Sequence, residues 1–235
     1  MTDTRHARPS LWSRGTRYSV LRQKRSTKNL VRLCRENATE RRTLVVHSED
    51  VDYRPYFPNG YAVTKRPDKP ADMHVDLYYR DLSSIADASY PVILCTGLLE
   101  HVPDPQRLID EFHRILEPGG ELIISASAVF SFHEGPNDFF HFTPFSFRLL
   151  FAQWTDIKVL RGASQPFETI GILMQRILLQ CRIVPGIRQL VELLLLMVPI
   201  LDKCIISQYS SVGTSDDEHR IDSMLPSNMQ AVVIK

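Results

Sequence analysis

The stretch Tyr90-Pro-Val-Ile-Leu-Cys-Thr-Gly-Leu-Leu-Glu-His-Val-Pro-Asp-Pro105, continued through Leu116-Glu-Pro-Gly-Gly-Glu-Leu-Ile-Ile124, decides the fold. Val92 to Cys95 is a short apolar run with β-branched members. It is too short for a helix and suited to a strand covered on both faces, as in a parallel sheet. After the loop Glu100-His-Val-Pro-Asp-Pro105, the apolar residues Leu108, Ile109, Phe112, Ile115 and Leu116 recur at helical spacing. Pro118-Gly-Gly120 is expected to stop that helix before a further strand over Glu121 to Ser125. A strand, a helix and a strand in this order imply a right-handed crossover.

These residues carry a resemblance. Leu99-Glu-His-Val-Pro-Asp-Pro105 and Leu116-Glu-Pro-Gly-Gly120 are similar, in order and spacing, to two linked motifs of the class I S-adenosylmethionine (SAM)-dependent methyltransferases, of the type 11 kind. The resemblance implies an α/β fold: a Rossmann-like, mostly parallel sheet with helices on both faces, here with a helical insertion before the last strand. It also implies SAM as cofactor and a small-molecule or sugar-type acceptor.

Outward from this unit, Thr43-Leu-Val-Val-His47 reads as the first strand and Gly60-Tyr-Ala-Val-Thr64 as the second. Between them the family carries a glycine-rich loop, because backbone must pass close to SAM without Cβ atoms in the way. This chain has Val45-Val-His-Ser-Glu-Asp-Val-Asp52, with no glycine, so His47 and Glu49 stand where the family has glycine. The second strand should end in a carboxylate that accepts from both ribose hydroxyls; Thr64 and Lys65 occupy that place. Met73-His-Val-Asp-Leu77 resembles the segment whose Asp accepts from the adenine amino group, which makes Asp76, with Leu77 beside it, an adenine-side candidate. Thr96 and Glu100 complete the cofactor-side positions. The missing carboxylate and glycines predict weak SAM affinity, since each lost contact to a charged group costs about 1.5–3 kcal/mol. They also support a second reading, a degenerate fold that no longer binds SAM and serves as a binding or assembly subunit or runs a non-methylating reaction.

Tyr53-Arg-Pro-Tyr-Phe-Pro58 and Phe132-His-Glu-Gly-Pro-Asn-Asp-Phe-Phe-His-Phe-Thr143 resemble segments of methyltransferases that modify sugars and secondary metabolites. The second lies over the active-site mouth in that subgroup. This chain has His141 in place of an Arg. Imidazole suits general-base work near neutral pH. The catalytic candidates are therefore His133, with Asp138 to hold its tautomer, His101 and His141. His47, His133 and His141 have no recognised ligand spacing, so no metal is expected.

Residues 1–42 hold twelve Lys or Arg against three Asp or Glu, and the remainder sixteen against twenty-four: a basic arm on an acidic body. Residues 1–28 lack periodicity and read as a flexible arm; residues 29–235 read as one methyltransferase-like domain. Two aromatics, Trp12 and Tyr18, among scattered arginines make a poor nucleic-acid signature, and that partner is not expected. Cys34, Cys95, Cys181 and Cys204 have no pairing pattern and suit reduced thiols in the cytoplasm. Residues 168–206 are strongly apolar and read as two helices broken at Pro185-Gly186, with Pro199 ending the second. They form a candidate face for a homodimer, a protein partner or a lipid surface. Their longest apolar run, Leu193 to Leu201, falls far short of the roughly 20 residues a membrane span needs.

Overall fold

The structure, a computed structural model, describes residues 25–47, 52–76, 80–184, 186–206 and 224–235. Helix α1 (Arg25–Glu36) leads into strands β1 (Thr43–His47), β2 (Gly60–Thr64) and β3 (Met73–His74). A 3-10 turn (Arg80–Ser84), β4 (Tyr90–Thr96) and a second 3-10 turn (Leu99–His101) precede α2 (Pro105–Ile115) and β5 (Leu116–Ser127). Then come α3 (Pro144–Leu150), β6 (Asp156–Gly162), α4 (Pro166–Gln180), α5 (Ile187–Met197), a 3-10 segment (Val198–Cys204) and β7 (Asn228–Ile234). The seven strands form one sheet in the order β3-β2-β1-β4-β5-β7-β6. β7 runs antiparallel to both β5 and β6, and the other pairs are parallel.

The central strands read as unbroken apolar runs because both faces are covered. Alternate residues serve opposite layers. Leu44, Val46, Ile93, Cys95, Leu122 and Ile124 join Leu108, Ile109, Phe112 and Ile115 of α2. Val45, Val92, Leu94 and Ile123 meet Leu33, Cys34, Tyr53 and Phe57 on the other side. A file of edge-to-face rings, Phe142, Phe147, Phe151 and Trp154, with centroids 5.5–5.7 Å apart, extends the first layer under α3.

Helix α2 starts where Asp104 and Pro105 place it: the Asp104 side chain accepts from the Arg107 N–H at 3.1 Å, and Pro105 takes a first-turn position. Its end differs from the sequence expectation. The helix stops at Ile115, and Leu116 already pairs with Tyr90 before Pro118-Gly-Gly120 is reached. The Pro-Gly-Gly residues are an irregularity within the strand, after which pairing resumes at Val92 with Glu121. Gly119 sits at φ 71°, and a Cβ on Gly120 would stand 2.8 Å from the Glu117 carbonyl, so both glycines are required by the backbone.

The apolar segment between β6 and β7 forms α4, α5 and the 3-10 segment that holds Pro199. Gly171 of α4 packs against Pro199 so closely that a Cβ there would lie 2.9 Å from the ring. The Asp202 carboxylate caps α4, accepting from the N–H groups of Phe167 at 2.8 Å and Glu168 at 2.7 Å. Much of the outer surface of α4, α5 and the 3-10 segment is apolar and exposed, including Ile177, Ile187, Leu190, Leu193, Met197 and Ile200. Among the described residues no helix is long and apolar enough to cross a membrane. Replacing Asp202 by Ala removes both charge-assisted caps; chemical denaturation is expected to show a loss of about 1–2 kcal/mol.

Candidate functional site

In parallel sheets of this kind, ligands are received at the carboxyl ends of the strands. There β1 ends at His47, opposite Thr96 at the end of β4, and β2 ends at Thr64. The positions nearest the expected cofactor are already engaged. Thr64 is fully buried, and its hydroxyl accepts from the Arg66 N–H at 3.2 Å. The Thr96 hydroxyl, also buried, shares a 2.6 Å hydrogen bond with Tyr53 Oη. Asp76 is exposed beyond β3, and its backbone N–H donates to Asp81 at 3.1 Å. Glu49 and Leu77 lie outside the described residues, as does the side chain of His47.

Lys65, next after Thr64, is turned inward with its side chain only 11% exposed, and its ammonium lies 3.5 Å from Glu134. Burial pulls the Lys65 pKa down, and the carboxylates of Glu134 and Glu100 push it back up. Glu134 comes from the loop after β5 and adopts φ 52°, an uncommon left-handed conformation for a residue with a Cβ. That loop therefore crosses the sheet edge from β5 to β2.

The centre of the edge is built on Glu100. It is 1% exposed and lies in the short turn that follows β4. Its Oε1 accepts from the Ser127 hydroxyl at the end of β5, at 2.6 Å. Its backbone carbonyl accepts from Phe139 at 2.9 Å and Phe140 at 3.2 Å, which fastens the loop after β5. Its Oε2 is buried without a hydrogen-bond partner among the described residues. His101, equally buried, is 2.7 Å from the Asn137 carbonyl through Nδ1. A carbonyl cannot donate, so the proton is on Nδ1 and the lone pair on Nε2.

His133 completes the centre. Its ring stands edge-on to His101 at 4.7 Å and to Phe130 at 5.2 Å. Its Nδ1 is 3.1 Å from the Ser131 carbonyl, which again leaves the lone pair on Nε2. Burial first, and then the neighbouring His101, hold its pKa below the ordinary imidazole value, although Glu100 and Asp138 act in the opposite sense. A ligand-combining atom of each of Glu100, His101 and His133 lies within 4.8 Å of the other two.

Asp138 accepts from the backbone N–H of His133 at 2.9 Å, and its carboxylate oxygens lie 3.5 Å from His133 Nδ1 and from His141 Nε2. It braces the loop more directly than it orients the imidazole, because the Nδ1 proton goes to Ser131. His141 is set outward, beside Phe132. From α4, Arg176 donates to the Ser131 hydroxyl at 2.9 Å and covers the Phe130 ring at 4.9 Å. The sequence analysis did not single out Lys65 with Glu134, Ser127 or Arg176 as partners in the site. Only Lys65 carried a signal, a charged residue in a carboxylate's place.

Asp138→Ala leaves the His133 N–H without its acceptor. Denaturation is expected to show a loss of about 1–2 kcal/mol, with faster proteolytic cleavage between residues 128 and 142.

Residues 27–124 match the family model described as a methyltransferase domain. The ubiquinone biosynthesis O-methyltransferase of Pseudomonas entomophila (strain L48) is 32% identical over 88 residues, which cover 33% of this chain and 38% of that protein. Its counterpart in Coxiella burnetii (strain Dugway 5J108-111) is 35% identical over 65 residues, 27% of this chain and 28% of that protein. The chain thus spans well under half the length of these curated relatives. Among solved structures, a SAM-dependent methyltransferase from Archaeoglobus fulgidus superposes with a TM-score of 0.56 at 14% identity, covering 92% of this chain and 96% of that one. The [4+2]-cyclase SpnF superposes with a TM-score of 0.53 at 14% identity, over 88% and 80% of the two chains. At such identity the likeness is one of fold.

Proposed function

We propose that the chain is a class I SAM-dependent methyltransferase, a reading supported by the match over residues 27–124 and by its sheet, and that it methylates a small-molecule or sugar-type acceptor received beside Glu100, His101 and His133. The observation that carries this reading is the neutral His133 imidazole, its Nε2 lone pair uncommitted by the Ser131 contact, at the end of β4. An acceptor hydroxyl can hydrogen-bond to that lone pair and pass its proton to it. SAM, when bound, supplies a methyl group on a sulfonium, open to in-line attack. The chain's own part is alignment and exclusion of water. Phe139 and Phe140, fastened to the Glu100 carbonyl, and Phe142, whose N–H donates to Ser127 at 2.8 Å, hold the loop down over the strand ends.

In this reading the cofactor is held by a changed donor set. Thr64 has no carboxylate to offer a ribose, but Glu134 brings one to the end of β2 from the opposite loop. Asp76, exposed beyond β3, is the residue proposed to accept from the adenine amino group. The second reading, a fold that has left methyl transfer for binding, assembly or a non-methylating reaction, draws on the same Lys65–Glu134 pair. A cyclase shares the fold. The exposed apolar face of α4 and α5 is the candidate surface for a second copy, a protein partner or a lipid-linked acceptor.

Calorimetric titration with SAM and with S-adenosylhomocysteine tests the proposal. Saturable binding is expected, weaker than micromolar, and weakened further in Asp76→Ala and Glu134→Gln. No heat and no rise in melting temperature up to millimolar ligand would favour the second reading.

A further inference from the structure

Glu100, His101 and His133 each have one end tied down and the other left over. Ser127 holds Glu100 Oε1, Asn137 holds His101 Nδ1, and Ser131 holds His133 Nδ1. Left over are one carboxylate oxygen, buried without a hydrogen-bond partner among the described residues, and the lone pairs of two imidazoles whose rings touch edge to face. Outer hydrogen bonds of this kind fix ligand orientation and tautomer around protein-bound metals. Nothing about hydrogen bonding within the fold explains why Glu100 should keep a buried oxygen bare, since a buried polar atom without a partner is costly. Lys65, the neighbouring cation, is engaged by Glu134.

We infer that Glu100, His101 and His133 form a binding site for a divalent first-row transition-metal ion. Two imidazoles and a carboxylate suit zinc, iron or cobalt rather than magnesium or calcium. Ligand bonds of about 2.0–2.2 Å separate ligand atoms by roughly 3–4 Å. One potential ligand atom of each residue already lies within 4.8 Å of those of the other two, so the cluster need close by only about an ångström around the ion. Glu100 and His101 lie in a turn held by β4 and β5, and His133 lies on a loop pinned by Glu100 itself, so the closure falls to His133. Three protein ligands leave coordination positions open for an oxygen donor, a hydroxyl or a carboxylate of a bound molecule. In the loaded protein that oxygen meets the ion in place of the hydrogen bond to His133. The ion site goes beyond the transferase reading, because holding the ion requires neither SAM nor an acceptor.

The test is titration of the full chain, stripped with a chelator, with cobalt(II), followed by visible d–d absorption and calorimetry. One equivalent is expected to bind at micromolar affinity or tighter and to be displaced by zinc. His133→Ala and Glu100→Gln are expected to weaken binding at least about tenfold, and Ser127→Ala by a similar factor through the lost outer hydrogen bond. His74→Ala, exposed on β3 with its ring at the Lys69 carbonyl, serves as the control and should bind as the parent does. His133 is partly exposed on a loop, so its variant stays folded, which circular dichroism checks, even if a Glu100 variant does not. Absence of a cobalt band, or equal binding by His133→Ala, overturns the site. Repeating the SAM titration on stripped and loaded protein separates the two proposals. Ion binding without SAM binding supports the ion site and overturns the transferase reading, whereas SAM binding without ion binding overturns the ion site alone.

Discussion

A buried carboxylate organises the working edge of this sheet. Glu100 joins three pieces of chain that are distant in sequence: its backbone continues β4, its side chain meets Ser127 at the end of β5, and its carbonyl receives the loop at Phe139 and Phe140. Burying an ionised group is expensive unless it is compensated, and breaking such a pair costs more than the pair contributes. With 1% of its surface exposed, Glu100 must therefore be satisfied by what surrounds it. The Ser127 hydroxyl and the field of Lys65 supply part of that compensation. The other carboxylate oxygen is buried without a hydrogen-bond partner among the described residues.

The loop after β5 does two things with one conformation. Its end is fixed on the Glu100 and Ser127 carbonyls, which brings Phe142 to the head of the file of rings under α3. Its beginning carries His133 to His101, and Glu134, at positive φ, turns across to Lys65. Chemistry at the end of β4 and charge at the end of β2 are thus set by adjacent residues. The surroundings of His133 and of Lys65 are coupled in this way and cannot be altered independently. Where a carboxylate was expected the chain has Lys65, and a carboxylate from the facing loop, Glu134, pairs with it.

The sheet was legible in the sequence because its information is local. Val92 to Cys95, Thr43 to His47 and Gly60 to Thr64 are apolar runs of strand length, and Asp104-Pro105 marks a helix start. The Pro-Gly-Gly residues were harder to place. They promise a break in the chain but do not reveal that Leu116 is already paired with Tyr90 ahead of the break. Polar partnerships were legible only where a motif kept them close. Glu100 and His101 stand out from the sequence; that His133, over thirty residues on, completes a cluster with them depends on a loop path that no spacing rule encodes. Lys65 and Glu134 are farther apart still, and pattern reading registers the lysine as a departure without finding its counter-charge.

Helix α4 extends the argument from the site to the surface. One side of it carries Arg176, which holds Ser131 and covers Phe130, and Gln180, which donates to the Phe132 carbonyl at 3.4 Å. These contacts bear on the residues just before His133. The opposite side joins α5 in an exposed apolar face, and Asp202 and Pro199 lock the helix to the segment behind it. The position of the His133 ring is therefore set from two directions, by Glu100 through the end of the loop and by α4 through its beginning. A helix packed this way has little freedom to slide without carrying Ser131 with it. Hence the apolar segment that precedes β7 is part of the machinery that fixes the imidazole, whatever covers its outer face.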